Sequence, residues 1–164
     1  MVPRVPPGGA VRRSPVVAAV ALVAVLVVSC SSGTPQRNLP RGVLTVRTGS
    51  GQVTVDVEIA ANGHARTVGL MNRPRLAPDA GMVFLFDGPV SGGFWMKNTL
   101  IPLSIAFWDD TGRILEVLDM TPCREDPCRV YFPGVTYFGA VEANLGWFEA
   151  HGIRPGDRAV LSER

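Results

Sequence analysis

Apolar and polar residues alternate along much of the chain after residue 42, and a period of two predicts β-strands. The clearest case is residues 53–59, in which every second residue is valine or isoleucine and the residues between them are polar. Residues 43–48 precede this stretch across Gly49-Ser50-Gly51, so the two predict a hairpin. Met82–Phe86 is instead almost wholly apolar, which in so short a segment indicates a strand that is buried on both faces.

The rest of the chain continues this pattern of short strands. Further strands are predicted at Phe94–Asn98, Leu103–Trp108, residues 114–118, Val130–Phe132, Tyr137–Ala143 and Arg158–Ser162, and short helices at Ala65–Asn72 and Asn144–Ala150. About seven to nine short strands with one or two short helices favour a compact, mainly-β single domain, either a β-sandwich or a distorted barrel. No glycine-rich phosphate-binding motif occurs, which argues against a nucleotide-binding α/β fold.

The first 29 residues have the pattern of a bacterial lipoprotein signal peptide. Three arginines precede the apolar run Val16–Val28, which as a helix would extend only about 20 Å, less than the ~30 Å hydrocarbon core of a membrane. The run ends in small residues just before Cys30, as in sequences that are cleaved ahead of a lipid-modified cysteine. We therefore expect a lipid anchor on Cys30 at the outer face of the cell membrane. Ordinary signal cleavage and a retained short anchor are the alternatives.

Cleavage at this site would divide the chain into a signal peptide (residues 1–29), a flexible tether from the lipidated cysteine (30–42) and one mainly-β domain (43–164). Removing the three signal-peptide arginines from the 16 basic residues leaves 13, against 14 acidic residues. The nearly neutral mature chain has no basic run of the kind that the phosphates of nucleic acid demand. Nucleic acid is therefore not expected as a partner.

Cys123 and Cys128 are the remaining cysteines, and in an exported chain they predict a disulfide. Closing so small a loop would stabilise by only about 2 kcal/mol in the chain-entropy model, so the bond would fix one loop. A zinc site is the alternative, but His64 and His151 lie far from the pair and lack zinc-finger spacing. We therefore predict no metal and no cofactor.

Three motifs, in order, closely resemble the domain-of-unknown-function 192 family. They are Arg66-x-x-Gly69-Leu70-Met71-x-Arg73, Gly81-Met82-x-Phe84-x-Phe86 and Phe94-Trp95-Met96-Lys97-Asn98-Thr99-x-x-Pro102-Leu103, with Glu142, Gly146 and Gly156-Asp157 after them. The resemblance covers about residues 53–161 and implies a compact mainly-β domain, often exported in bacteria, with no settled activity. The family usually has an aspartate where this chain has Ser104, so this chain would lack any general base or metal ligand at that position.

The third motif contains the strongest candidate site, since it places a lysine and an amide within apolar sequence. Lys97 and Asn98 would bind a polar ligand, or share protons, if Glu142 lies beside them, and Thr99 and Trp95 belong to the same segment. The structural alternative is a Lys97–Glu142 ion pair, with Asn98 holding a turn.

Two further groups have both a binding and a structural interpretation. Arg66 and Arg73 would grip an anionic ligand, or would instead pair with Asp79 or Glu142. Five aromatic residues would form a sugar-stacking platform, or would pack in the core: Phe94, Trp95, Trp108, Trp147 and Phe148.

No motif places a general base beside a serine, cysteine or threonine nucleophile. We therefore expect a lipid-anchored, extracytoplasmic binding or accessory domain, whose partner is a small polar ligand or an envelope component. The first alternative is an envelope hydrolase that cleaves sugar or ester bonds with Glu142 and Lys97. The second is a structural or chaperone-like envelope partner, which would require an exposed apolar patch.

Overall fold

Seven strands join into one sheet in the computed structural model, which describes residues 33–164. In chain order the strands are β1 (Arg41–Thr48), β2 (Gly51–Ala60), β3 (Ala80–Val90), β4 (Phe94–Trp95), β5 (Leu103–Trp108), β6 (Ile114–Met120), β7 (Val130–Tyr131), β8 (Tyr137–Asn144) and β9 (Arg158–Glu163). The helices are α1 (Gly63–Val68) and α2 (Trp147–Ala150). The prediction of a mainly-β domain with two short helices is confirmed. The predicted signal peptide (residues 1–29) and Cys30 lie outside the described residues.

The order of strands in the large sheet is β6-β5-β8-β3-β2-β1-β9, and β4 and β7 form a separate two-stranded sheet. β1 and β2 form the predicted antiparallel hairpin. β2 and β3 are the parallel neighbours, and α1 lies in the crossover that joins them. This topology places β8 between β3 and β5, at the centre of one half of the sheet.

The large sheet curls until its two edge strands meet at one end. Arg113, just before β6, forms an isolated bridge with Arg158 of β9, and the Ile114 amide donates to the Asp157 carbonyl at 2.8 Å. The contact requires Gly112, whose φ of 79° is unfavourable for other residues and whose position leaves no room for a Cβ beside the carbonyl of Ala159. Among the described strands, β6 and β9 contact each other only at this end. The fold is therefore a distorted barrel that remains open along the rest of the two edges.

Both faces of the sheet are covered by apolar side chains. One cluster contains Val83 of β3, Val141 of β8 and the first two residues of α2, whereas Met82 and Phe84 belong to a second cluster on the opposite face. The second cluster also contains residues of α1 and of the two-stranded sheet. The prediction that residues 82–86 are buried on both faces therefore holds at Met82, Val83 and Phe84.

Several predicted boundaries differ from the observed elements, among them the following three. α1 begins at Gly63, because Asn62 keeps an extended φ of −122° and its side chain accepts a hydrogen bond from the Ala65 amide as an N-cap. The chain remains in β8 as far as Asn144, which delays the second helix until Trp147. β4 ends at Trp95, three residues earlier than the predicted strand.

The segment before β1 contacts the domain through Gln36 and Leu39. The Gln36 side-chain amide donates to the carbonyls of Ala65 at 3.0 Å and Gly69 at 2.8 Å, and Leu39 packs against the second apolar cluster. β1 itself begins at Arg41, within the range predicted as a tether. Within residues 33–164, neither helix has the length and hydropathy that crossing a bilayer would require.

Candidate functional site

The segment Phe94–Thr99 leaves β4 and makes a turn that is held by backbone contacts. Asn98 has a φ of 56°, a conformation in which asparagine is enriched. The Thr99 amide donates to the Met96 carbonyl at 3.1 Å, and the Asn98 carbonyl accepts from the Asn72 amide at 2.8 Å. The prediction that Asn98 sits in a turn is correct. The contribution of Asn98 to this turn comes from its positive φ and from the hydrogen bond that its backbone carbonyl accepts.

Lys97 points away from Glu142 and pairs with another acid. Its Nζ lies 3.3 Å from Oδ2 of Asp126 and 5.9 Å from the centre of the Trp95 ring. The Lys97 and Asp126 side chains are 41% and 68% exposed, so this pair contributes at most about 1 kcal/mol. The predicted constellation of Lys97, Asn98 and Glu142 is not formed, because β4 ends before Lys97 and the turn directs the lysine to the surface.

Asp126 lies in the loop that the predicted disulfide closes. Cys123 and Cys128 are bonded, with their Cα atoms 5.5 Å apart. The disulfide is therefore confirmed in the structure, and while it is formed neither sulfur is a thiolate that could bind zinc.

Glu142 is the most deeply buried acid among the described residues. It lies in the middle of β8, opposite Met82 of β3 and Ile105 of β5, and is 5% exposed. No described side chain forms an ion pair with it, and burial raises its pKa to about 8. At neutral pH Glu142 is therefore a protonated, uncharged carboxylic acid that can both donate and accept hydrogen bonds.

A cavity of about 30 Å³ lies against Glu142, large enough for one or two water molecules. Its lining includes Glu142, Thr99, Arg66 and Trp95, which are four of the seven residues that the sequence nominated as ligand-binding. The structure therefore brings the third motif together with Glu142, but through Trp95 and Thr99 instead of Lys97.

A larger groove of about 650 Å³ adjoins this cavity, and the two share Phe84, Phe94 and Trp95 in their walls. Five of its twelve lining residues are aromatic, because Phe86 and Tyr137 lie beside the three shared rings. The Phe94 ring packs edge-on against Phe84 at 5.0 Å between centroids, which fixes the floor. We call this feature, with its inner cavity, the aromatic groove.

Arg66 forms part of the wall of the aromatic groove through backbone contacts. Its Nη1 donates to the carbonyls of Ala61 at 2.9 Å and Leu85 at 2.7 Å, and its guanidinium lies 4.9 Å from the centre of the Phe86 ring. The predicted alternatives, pairing with Asp79 or Glu142, are therefore both wrong for Arg66. Its role is to hold α1 against β3 beside the groove.

Arg73 lies in a different place and pairs with an acid that the sequence did not single out. Its Nη1 and Nη2 donate to the two carboxylate oxygens of Glu58 at 2.6 and 2.9 Å. The two side chains are 14% and 19% exposed, and the hydrogen bonds from Arg73 lower the pKa of Glu58. The predicted pairing of Arg73 with Asp79 or Glu142 is thus wrong. Glu58 was missed because the pair joins β2 to a segment fifteen residues later.

Ser104, which replaces the usual family aspartate, sits beside a carboxylate from the facing strand. Its hydroxyl donates to Oδ1 of Asp119, its register partner on β6, and accepts from the Gly146 amide at 2.8 Å. An acid is therefore present next to this position. The hairpin turn at Asp109–Gly112 would not have aligned the two residues by itself, because a register shift between Phe107 and Trp108 moves the pairing by one residue.

The aromatic residues do not form a sugar-stacking platform. Trp108, Trp147 and Phe148 are buried in the first apolar cluster, whereas Trp95 is 45% exposed at the groove. Core packing, the alternative interpretation, holds for the three buried residues.

The fold and the site together define a class: an open, curled β-domain with a buried carboxylic acid at the inner end of an aromatic groove. The model of the DUF192 family, described as "Uncharacterized ACR", matches residues 44–161, and the chain belongs to this family. The resemblance noted from the three motifs is thereby confirmed.

Two crystal structures are similar to this chain. One is of a proposed transcription regulator from Sinorhizobium meliloti 1021, with 30% sequence identity and a TM-score of 0.71 over 77% of this chain and 97% of that chain. The other is of a protein of unknown function from Novosphingobium aromaticivorans DSM 12444, also with 30% identity and a TM-score of 0.71, over 77% of this chain and 89% of that chain. No curated protein matches the sequence.

Proposed function

We propose that this protein is a lipid-anchored, extracytoplasmic binding domain and that the aromatic groove is its ligand site. The observation that carries the proposal is Glu142, a buried acid without an ionic partner among the described residues, at the inner end of an apolar groove. Burying an unpaired polar group costs free energy that a structural role does not recover. A ligand group that fills the cavity and bonds to Glu142 would recover it.

The chemistry of the groove defines the class of ligand. Its aromatic walls favour an apolar body, and the protonated Glu142 favours a neutral hydrogen-bonding group such as a hydroxyl or a carbonyl. The inner cavity of about 30 Å³ admits only a group of a few atoms. We infer a small amphipathic ligand whose polar end enters the cavity and whose apolar part lies along the groove.

The hydrolase alternative loses its support, because it assigned the chemistry to Glu142 and Lys97 acting together. Lys97 pairs with Asp126 on the surface, and the hydroxyl of Thr99, which lines the cavity with Glu142, donates to the Lys97 carbonyl at 3.5 Å. The near-neutral charge of the mature chain likewise gives no basis for extending the regulator role of the Sinorhizobium meliloti protein to this one.

A structural or chaperone-like role remains a second candidate, because an apolar patch adjoins the groove. Trp95 of β4 lies directly opposite Val130 of β7, and both are exposed, as is Phe132. A Cβ on Gly93 would contact both Val130 and Phe132, so the two side chains surround that glycine. Exposed patches of this kind are typical of contact surfaces for other proteins.

Ligand binding in the groove can be followed at Trp95 by 19F NMR of the protein labelled with 5-fluorotryptophan and extracted in a neutral detergent. Titration with short-chain alcohols and amides is expected to shift the Trp95 resonance. The Trp108 and Trp147 resonances should not move, because both rings are buried in the other apolar cluster. Glu142→Leu, which keeps the volume and removes the hydrogen bonds, is expected to weaken binding about fivefold.

Lys97→Met is the matched control for this titration, since Lys97 also lies beside the Trp95 ring but outside the cavity. The affinity of the Lys97→Met variant for the titrated alcohols and amides should stay within about twofold of that of the parent protein. A Trp95 resonance that no amphiphile shifts, or an equal loss of affinity in both variants, would contradict the groove proposal. Phe132→Ser should leave the titration unchanged while weakening any protein partner held by the apolar patch.

The lipid anchor is tested separately through Cys30. The basic and apolar segment before it and the disulfide within the domain both support export. Cys30→Ser is expected to move the protein from the membrane fraction to the soluble extracytoplasmic fraction, or to leave an unprocessed precursor. Cys30→Ser protein that is processed and still fractionates with the membrane would refute lipidation as the anchor.

A further inference from the structure

A second recess, remote in chemistry from the aromatic groove, lies where the segment before β1 meets the turn after α1. It has a volume of about 400 Å³, and its lining includes Arg37, Arg41, Arg73, Arg75 and Glu58. We call it the arginine cleft. Four guanidinium groups around one recess are unusual in a mature chain whose acids outnumber its bases.

The charge of the cleft is strongly positive after its internal pairing is taken into account. Arg73 and Glu58 neutralise each other through their two hydrogen bonds at the floor. Arg37, Arg41 and Arg75 are exposed and form no ion pair with any acid of the described residues. Three uncompensated positive charges therefore face one recess, and repulsion among them opposes the folded state unless an anion joins them.

The walls of the cleft are held in place by hydrogen bonds. The Gln36 side chain is fixed on the carbonyls of Ala65 and Gly69, and Nη2 of Arg73 donates to the Gln36 carbonyl at 3.2 Å. Arg73 thus links the segment before β1 to Glu58 of β2. Its Nε is buried and has no hydrogen-bond partner, which leaves a donor in this region unsatisfied.

We propose that the arginine cleft binds a phosphate group. Guanidinium groups match the oxygens of phosphate with paired, charge-assisted hydrogen bonds, and a dianion would neutralise most of the excess charge. A recess of about 400 Å³ accommodates a phosphate together with a small organic substituent.

Two sources of phosphate fit this chemistry: a free phosphate or phosphomonoester, and the headgroup of an anionic phospholipid. The lipid source rests on the proposed anchor at Cys30. Arg37 is seven residues from Cys30, a distance that an extended chain covers in at most about 25 Å, so the cleft would be held near the membrane surface. The free-phosphate source does not depend on the anchor.

The experiment uses the full chain in a neutral detergent at constant ionic strength, with two probes measured by 31P NMR titration. The probes are inorganic phosphate and short-chain phosphatidylglycerol, with short-chain phosphatidylcholine as the neutral reference. Arg41→Gln and Arg75→Gln are each expected to weaken binding of the effective probe about tenfold. Both residues are exposed and removing either charge relieves repulsion, so neither substitution should lower the melting temperature.

Arg47→Gln is the matched control, because Arg47 is an exposed arginine on the same strand as Arg41 but outside the cleft. Binding of inorganic phosphate supports a free-phosphate ligand, and binding of phosphatidylglycerol alone supports a headgroup. Binding of neither probe above the reference, or an equal effect of Arg47→Gln, would overturn the proposal. If the Cys30 test shows that the chain carries no lipid anchor while the protein still binds inorganic phosphate, the membrane source is refuted and the assignment of the cleft stands.

Discussion

Glu142→Gln is expected to stabilise the protein by about 3 kcal/mol at pH 7. Burial raises the pKa of Glu142 to about 8 in the folded protein, whereas its model value is 4.5. At pH 7 folding must therefore add a proton to this carboxyl group, and each unit between the pH and the unfolded pKa costs about 1.4 kcal/mol. Glutamine keeps the shape and the hydrogen-bonding capacity without this cost.

The sign of the pH dependence follows from the same shift. Because the folded pKa is raised, the contribution of Glu142 to stability is fully present below pH 4.5 and declines as the pH rises to about 8. Over that range the parent protein should lose about 5 kcal/mol that the glutamine variant retains. Urea unfolding of both proteins at pH 5, 6, 7 and 8 measures the difference directly.

Glu149→Gln is the control for this experiment, since Glu149 is an exposed glutamate in α2. It should leave both the stability and its pH dependence nearly unchanged. If Glu142→Gln were less stable than the parent at pH 7, or if the two pH profiles were parallel, Glu142 would be ionised in the folded protein. The assignment of a neutral acid to the aromatic groove would then fail.

Arg73→Met is expected to destabilise the protein by about 3 kcal/mol at pH 7. The substitution leaves the carboxylate of Glu58 in a largely buried site without its two-point partner, and it also removes the hydrogen bond to the Gln36 carbonyl. The pKa of Glu58 is lowered in the folded protein, first by the hydrogen bonds from Arg73. The stabilisation by the pair is thus present above the unfolded pKa of about 4.5 and is lost as the pH falls through the folded pKa.

Arg75→Met provides the comparison for Arg73→Met, because Arg75 is exposed, lies two residues away and has no ion pair among the described residues. Its effect on unfolding in urea at pH 7 should stay within about 0.5 kcal/mol. Equal losses in the two variants, or a loss below about 1 kcal/mol for Arg73→Met, would show that the Arg73–Glu58 pair does not stabilise the fold. The pH dependence near pH 4 should shrink in Arg73→Met only.

Local pattern was sufficient for most of the strands. The alternation at residues 53–59 and the apolar run at 82–86 each reflect which face of a strand is buried, and this is a property of neighbouring residues. Boundaries were less accurate where one residue type has two uses. Asparagine is common both in turns and at helix N-caps, and Asn62 is an N-cap, so α1 begins at Gly63 and not at the predicted Ala65.

The candidate site was predictable as a set of residues and not as an arrangement. Trp95, Thr99, Arg66 and Glu142 were nominated from the motifs, and they do line one cavity. The predicted pairing of Glu142 with Lys97 is wrong, because β4 ends at Trp95 and Lys97 pairs with Asp126, and neither the end of the strand nor this distant partner is evident from the local sequence.

The sequence by itself determined the strand pattern, the family and the disulfide partners, because each depends on residues that are close together or on motifs in fixed order. The tertiary structure decided the partners of the ionisable residues. The strand order β5-β8-β3 buries Glu142 beside the aromatic groove, and the crossover after β2 brings Glu58 to Arg73. Electrostatic energy depends on distances through space and on desolvation, and both are fixed only when the sheet is assembled.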